Sequence, residues 1–326
     1  MLAYLLRRLV ATVVLVIVVS SAALVITRLA AWDSIGSFGD TPEEIARVRQ
    51  LRGLDRPLVS QWAAWMVGLA RLDLGDSALY GQPVAPIVGD RARNTALLAT
   101  VAFVTALILG IPPAFLTATR PRSLLARAIR ALSLFLLSLP SFVSSLGLVL
   151  IAVRTGWLPA GGLISSDVGP TFAARLIDAA WHLPLPVLAL ALPLAATIER
   201  LQAQSLVEAL AQPPVQAARA RGIPYSTIVI RHAGRLAIKP VAAVGGLAFG
   251  ALLSGSFAVE VVTAWPGLGR LTIDALRNRD PNLVAGCAAA GTLVLALGLL
   301  VADLVIAWSD PRAREIVTGD VVESPA

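Results

Sequence analysis

Charge is scarce in this sequence. Of its 326 residues, 14% are Asp, Glu, Lys or Arg and 57% are apolar, with a mean hydropathy of +0.78. A soluble fold of that composition would have too little polar surface to cover itself. Lysine occurs once, as Lys239 before Pro240, so no Gly-x-x-x-x-Gly-Lys-Ser/Thr phosphate loop can be present. Cysteine also occurs once, as Cys287, which excludes a disulfide framework within the chain. The two histidines, His182 and His232, do not form a His-Glu-x-x-His zinc helix. No Gly-x-Ser-x-Gly nucleophile elbow occurs either. The expectation is a non-catalytic chain that binds no cofactor or metal of its own.

What fills the sequence instead is apolar runs about 20 residues long, enough to cross a hydrocarbon core of ~30 Å as helices. Six are predicted, at 9–30, 95–117, 129–152, 184–203, 236–262 and 283–307. The first follows Arg7-Arg8 and has an apolar core too long for a signal peptide, so it reads as an uncleaved span. With the N-terminus inside, the segments 1–8, 118–130, 200–239 and 308–326 hold 14 of the 27 basic residues. The two short external loops hold only Arg154, Arg175, Arg270, Arg277 and Arg279. This positive-inside bias places both termini in the cytoplasm. It also accounts for the net charge of +7 without nucleic-acid binding.

Between the first two spans lies an external segment with helix signals of its own. Thr41-Pro42-Glu43-Glu44 reads as a capping box, and Gly53 would close that helix. Trp62, Trp65, Met66 and Leu69 then recur at helical spacing, suited either to packing on the spans or to contact with a delivery protein. In the fifth span Ala242, Gly246, Gly250, Ser254 and Ala258 form a strip of small residues that would let another helix come close. The prolines 184, 186 and 193 predict an irregular fourth span. Glu199, Glu260 and Asp303 fall at the ends of their spans, so no proton-relay chain crosses the membrane.

The interval between the fourth and fifth spans interrupts the apolar pattern. Pro213 and Pro214 suit a first helical turn, Gly222 suits the residue just past the end, and Pro224 forbids continuation. The result is a short helix with alanines 217, 218 and 220 on a thin flank and Arg219 and Arg221 supplying charge. It reads as a docking helix for a soluble partner or, more blandly, as an amphipathic surface loop.

Ala217-Ala218-Arg219-Ala220-Arg221-Gly222, with Ile238 and Pro240 downstream, resembles the "EAA" loop of ABC-importer permeases. Glu260 through Gly269, including Ala264-Trp265-Pro266-Gly267-Leu268-Gly269, and Asn278-Arg279-Asp280 are similar to the B-type permease of dipeptide/oligopeptide importers. Leu54-Asp55-Arg56-Pro57, Gln61, Asp73-Leu74-Gly75, Asn94-Thr95, Gly156-Trp157-Leu158-Pro159 and Asp310-Pro311-Arg312 fit the same family. Two stretches depart from it. Pro213-Pro214 stands where the family has an acidic-aromatic pair, and Ala31-Trp32-Asp33-Ser34 where a Pro-Gly-Asp-Pro type of sequence is usual.

The resemblance implies an all-α membrane protein with six transmembrane helices in the type I ABC-importer permease fold. Its parts would be a tail and first span (1–30), an external helical segment (31–94), a five-helix core (95–314) with a coupling helix near 213–222, and a polar tail (315–326). It implies a permease subunit in a bacterial inner membrane, with an ion-coupled secondary transporter as the alternative class. Implied partners are a homologous C-type permease, two cytoplasmic ATPase subunits that bind ATP and Mg, and an extracytoplasmic substrate-binding protein. Residues 217–222 would dock the ATPase, and Glu260, Trp265, Pro266 and Gly267 are candidates for an outer gate. The cargo is left open among peptides, nickel, glutathione and sugars.

Overall fold

The computed structural model describes residues 2–29, 41, 43, 56–165, 167–169 and 171–309. The Thr41–Glu44 capping box is only partly within that set. Gly53, Leu54-Asp55, the 31–34 stretch and everything from Asp310 on, including Asp310-Pro311-Arg312, lie outside it. The elements are α1 (Leu2–Leu29), α2 (Leu58–Ala70), α3 (Val84–Thr119), α4 (Leu124–Leu137), α5 (Ser141–Thr155), α6 (Phe172–His182), α7 (Pro184–Leu210) and α8 (Pro213–Ala220). A single turn at Tyr225–Thr227 leads into a π-helix, π1 (Ile228–Ala233), then α9 (Gly234–Val262), α10 (Leu268–Arg277) and α11 (Pro281–Ser309). Among the described residues the only β-type pairing is an isolated bridge between Asp76 and Pro83.

Among the described residues five stretches are long and apolar enough to cross a membrane: Leu6–Leu29, Val84–Thr119, Phe172–Leu210, Tyr225–Val262 and Pro281–Val301. A sixth is reached when α4 and α5, a pair bent by 108°, are counted as one span. The stretch expected to span over 129–152 is thus two helices with a bend between them. Pro140 brings no N–H to the ladder and disfavours helix at Leu139, and the chain turns there. Hydroxyls take up carbonyls on either side of the break: Ser138 Oγ donates to Leu134 O (2.9 Å) and Ser144 Oγ to Pro140 O (3.3 Å).

Proline alone does not dictate a break, since Pro112, Pro113, Pro193 and Pro240 all sit inside continuous helices. The fourth span, expected to be irregular, is interrupted at Leu183, between α6 and α7, and continuous from Pro184 on. Helix α7 runs unbroken from Pro184, which occupies the first turn where a missing N–H costs nothing. Thr197 Oγ1 donates to the Pro193 carbonyl (3.1 Å).

The chain divides into two compact units, 1–96 with 266–297 and 97–265 with 298–326. The first packs Val84 and Val88 of α3 with Leu268 and Leu271 of α10 and Leu283 and Cys287 of α11. A Cβ on Gly286 would lie 2.7 Å from Val84 Cγ1, so α11 meets α3 where it has no side chain. The second unit packs Leu98, Ala102 and Ala106 with Leu190 and Ile198 of α7 and Val241, Leu252 and Val259 of α9. Here too backbones come close, because a Cβ on Gly110 would lie 2.6 Å from Ala195 O. Of the predicted strip on α9, Gly246 is buried, Gly250 half-buried and Ser254 exposed. The tight contact falls one residue further on, where a Cβ on Gly255 would lie 3.2 Å from Ser141 Oγ and 3.4 Å from Leu190 Cδ2.

Candidate functional site

Helix α8 is the shortest independent element of the second unit, and its two ends are built differently. At the start, Gln212 is extended (φ −71°, ψ 144°) and makes no side-chain cap, and Pro213 occupies the first turn. Gln216 Nε2 donates back to Leu210 O (2.7 Å), closing the turn that joins α7 to α8. The Pro213-Pro214 departure is thus compatible with a helix start. At the end, Gly222 is left-handed (φ 76°), its N–H reaching Arg219 O (3.0 Å) while the Ile223 N–H reaches Ala218 O (3.4 Å). That is a Schellman ending, with Ile223 folded against the apolar cluster beneath.

One face of α8 is fixed. Val215 and Ala218 are buried with Leu206 and Ala209 of α7, Ile228, Val229 and Ala233 of π1, and Ala237 of α9. Ala218 therefore belongs to the chain's own core. Ala217, Arg219, Ala220, Arg221 and Gly222 are exposed, and Arg221 Nε folds back onto Ala217 O (3.3 Å). The outward surface is thin and cationic, on a short rigid rod.

Above this cluster lies a buried polar group that the sequence placed at a membrane boundary. Glu199 is 3% exposed, and it accepts Thr117 Oγ1 (2.6 Å) on one carboxyl oxygen and Ser133 Oγ (2.9 Å) on the other. It thereby ties α3, α4 and α7 together. Glu260 is fully buried as well, two residues before the end of α9. Counting residues along a helix put both near the ends of their spans. It did not show that those ends are enclosed by protein.

Trp265 is fully buried, in the core of the second unit with Leu98, Val187 and Leu252. Gly267 is extended (φ −109°), and the left-handed residue of this segment is Ala264 (φ 51°). Thr263 ends α9 by donating its N–H and Oγ1 to Val259 O, both at 2.8 Å. The Gly162 N–H reaches Thr263 O (2.8 Å), and a Cβ on Gly161 would collide with that same carbonyl.

In the first unit the next residues are capped from far away in sequence. Asn94 Nδ2 donates to Pro266 O and the Leu268 N–H to Thr95 Oγ1, both at 2.8 Å. Asn94-Thr95 is thus the cap of α10, contributed by α3. The Asn278-Arg279-Asp280 motif has an equally concrete role. Asp280, 1% exposed, accepts Ser77 Oγ (2.6 Å), Leu79 N–H (3.1 Å) and Leu283 N–H (3.1 Å). It caps α11 while holding the 77–79 loop. Asn282 adds a bond to Asp76 O (3.1 Å) and accepts one from Arg28 Nη2 (3.2 Å). Apart from the local bond from the Leu283 N–H to Asp280, none of these pairings could be derived from spacing, because the partners are roughly 170 to 250 residues apart. Only for Asn94-Thr95 with Pro266 and Leu268 did both ends lie in family motifs.

Comparison with known proteins agrees with this architecture. Residues 93–315 match the family described as "Binding-protein-dependent transport system inner membrane component", and residues 1–107 match its N-terminal companion. A protein of Brucella suis biovar 1 (strain 1330) named as a peptide permease is 31% identical over 322 residues, covering 96% of this chain and 99% of the relative. The oligopeptide transport system permease protein AppB of Bacillus subtilis (strain 168) is 30% identical over 317 residues, with the same coverage. A protein of Sinorhizobium fredii (strain NBRC 101917 / NGR234) named as a peptide ABC transporter permease is 31% identical over 320 residues, covering 95% and 99%. With its multi-pass helical architecture and matches running nearly end to end, the chain belongs to the family of inner-membrane components of binding-protein-dependent transport systems and has the type I importer permease fold.

Proposed function

We propose that this chain is the non-catalytic permease subunit of an ATP-driven peptide importer, coupled to a separate ATPase through α8. The observation that carries the reading is the two-faced construction of that helix. Val215 and Ala218 lock it to the core, while Ala217, Arg219, Ala220, Arg221 and Gly222 are left outward. A force applied there is passed to α7, π1 and α9 together. Peptides are favoured as cargo because the similar proteins are named for peptide transport. The partners would be a homologous C-type permease, two ATPases that bind ATP and Mg, and an external binding protein. Trp265-Pro266-Gly267, with Glu260, would brace the outer end of the path.

Two experiments test this. Gly222→Leu requires a bulky residue at φ 76° and should abolish uptake while leaving membrane insertion intact. Arg219→Glu should weaken ATPase association in a salt-dependent way, because the charge is exposed. Normal transport by Gly222→Leu would defeat the docking reading.

Orientation, with both termini cytoplasmic, is tested separately by thiol labelling of intact cells. Ser60→Cys and Ser165→Cys should react with an impermeant reagent from outside, and Ser226→Cys should not. Labelling of Ser226→Cys would reverse the topology.

A further inference from the structure

The helix that enters the fifth span does not begin as an α-helix. After one turn at Tyr225–Thr227, π1 is wound with five-residue hydrogen-bond spacing, and the Gly234 N–H closes on the Val229 carbonyl. Such turns are rare; they occur mostly as single insertions into α-helices, often at functional positions. This one lies inside the cluster that holds α8: Ile228, Val229 and Ala233 pack with Val215 and Ala218. His232 Nδ1 lies 3.4 Å from the Thr227 carbonyl and donates to it, so a side chain covers a carbonyl in the widened turn.

We propose that π1 is the joint through which motion of α8 enters the fifth span, the π turn shifting along the helix between 228–233 and Pro240. This rests on the coupling role of α8 proposed above. Passage of the extra residue would rotate each position it crosses by about 100°, one residue of an α-helix. Two features favour a second resting place at Pro240. Proline brings no N–H, so the ladder already lacks a bond there. The residues in between pack through Gly234 and Ala237, with Ala233 at the end of π1, whereas Arg235, Ile238 and Lys239 face outward. Side chains that small let two packings bury similar apolar area.

The test uses the complete complex with its permease partner, ATPases and binding protein, in vesicles, on a Cys287→Ala background. Ile230, exposed on π1, is the residue to delete. Its removal converts π1 to α-helix and leaves both flanks in register. That variant should assemble and hydrolyse ATP, with uptake reduced at least ten-fold. In parallel, Leu236→Cys (half-buried in the parent) and Ala237→Cys (1% exposed) report the rotation, because each residue the π turn crosses takes the place of the one after it. Trapping with ATP and vanadate should raise thiol reactivity at 237, which moves to the exposed place of Ile238, and lower it at 236, which moves to the buried place of Ala237.

Unchanged reactivity at both positions overturns the proposal, and so does normal uptake by the deletion variant. If the deletion variant does not assemble, the cysteine pair decides. Gly222→Leu, run alongside, separates the two readings. Retained uptake in that variant defeats the docking role of α8. Lost uptake with unchanged cysteine reactivity defeats only the joint.

Discussion

The same helix ending is built twice in this protein, from different materials. At the end of α8, Gly222 and Ile223 close onto Arg219 and Ala218; at the end of α10, Arg279 and Asp280 close onto Leu276 (3.2 Å) and Ala275 (2.9 Å). Both are Schellman endings with a left-handed residue in third place. In the first that residue is glycine at φ 76°, and a Cβ built there would meet nothing within 4 Å. In the second it is arginine at φ 54°, a conformation costing a side chain roughly 1–2 kcal/mol. The α8 ending is relaxed and set locally by its own sequence. The α10 ending is held in a disfavoured conformation, and the restraint comes from the next residue, Asp280, whose carboxylate gathers three donors from two segments.

That difference predicts where substitutions will hurt most. Asp280→Ala should give the largest loss, roughly 3 kcal/mol, because it removes a helix cap and leaves buried donors unpaired. Thermal unfolding in detergent, followed by tryptophan fluorescence, would measure it. Asp280→Asn sharpens the point, since an amide keeps one acceptor oxygen and should lose less. Equal losses for the two would show that shape, not hydrogen bonding, holds the 77–79 loop.

The contrast also marks what could be read without coordinates. The start and stop of α8 were legible because Pro213, Gly222 and Pro224 act within a few residues of themselves. Five of the six spans were legible for the same reason, apolar length being a local property. The break at Pro140 was not, because Pro112, Pro113, Pro193 and Pro240 have the same missing N–H and leave their helices unbroken. Long-range pairings such as Ser77 with Asp280, Thr117 with Glu199 and Asn94 with Pro266 have no periodicity to betray them. The enclosure of Trp265 was not legible either, because it depends on Leu98, Val187 and Leu252, residues far from it in sequence.

Gly222→Ala should have a smaller effect than Asp280→Ala and a different character. No atom stands in the way of the new Cβ, so the loss is the intrinsic cost of the left-handed region, roughly 1 kcal/mol. The same thermal measurement applies. A loss approaching that of Asp280→Ala would mean that the α8 ending, like the other, is under tertiary restraint.

The smallest expected effect is the most diagnostic. Arg279→Gly should relieve the left-handed strain, worth roughly 1–2 kcal/mol, at the expense of the extra backbone freedom glycine has when unfolded, about 0.5–1 kcal/mol. The net is a gain of roughly 0–1.5 kcal/mol, centred below 1 kcal/mol and seen as a slightly raised unfolding temperature. Its sign carries the information. A gain means that Asp280 and its donors hold Arg279 in place against its own preference. A loss means that the arginine side chain contributes contacts outweighing the strain, and the α10 ending would then be as relaxed as the one at Gly222. Repeating the substitution in the Asp280→Ala background separates these cases further. With the clamp gone, a strained Arg279 can relax by itself, and the benefit of glycine should shrink toward zero.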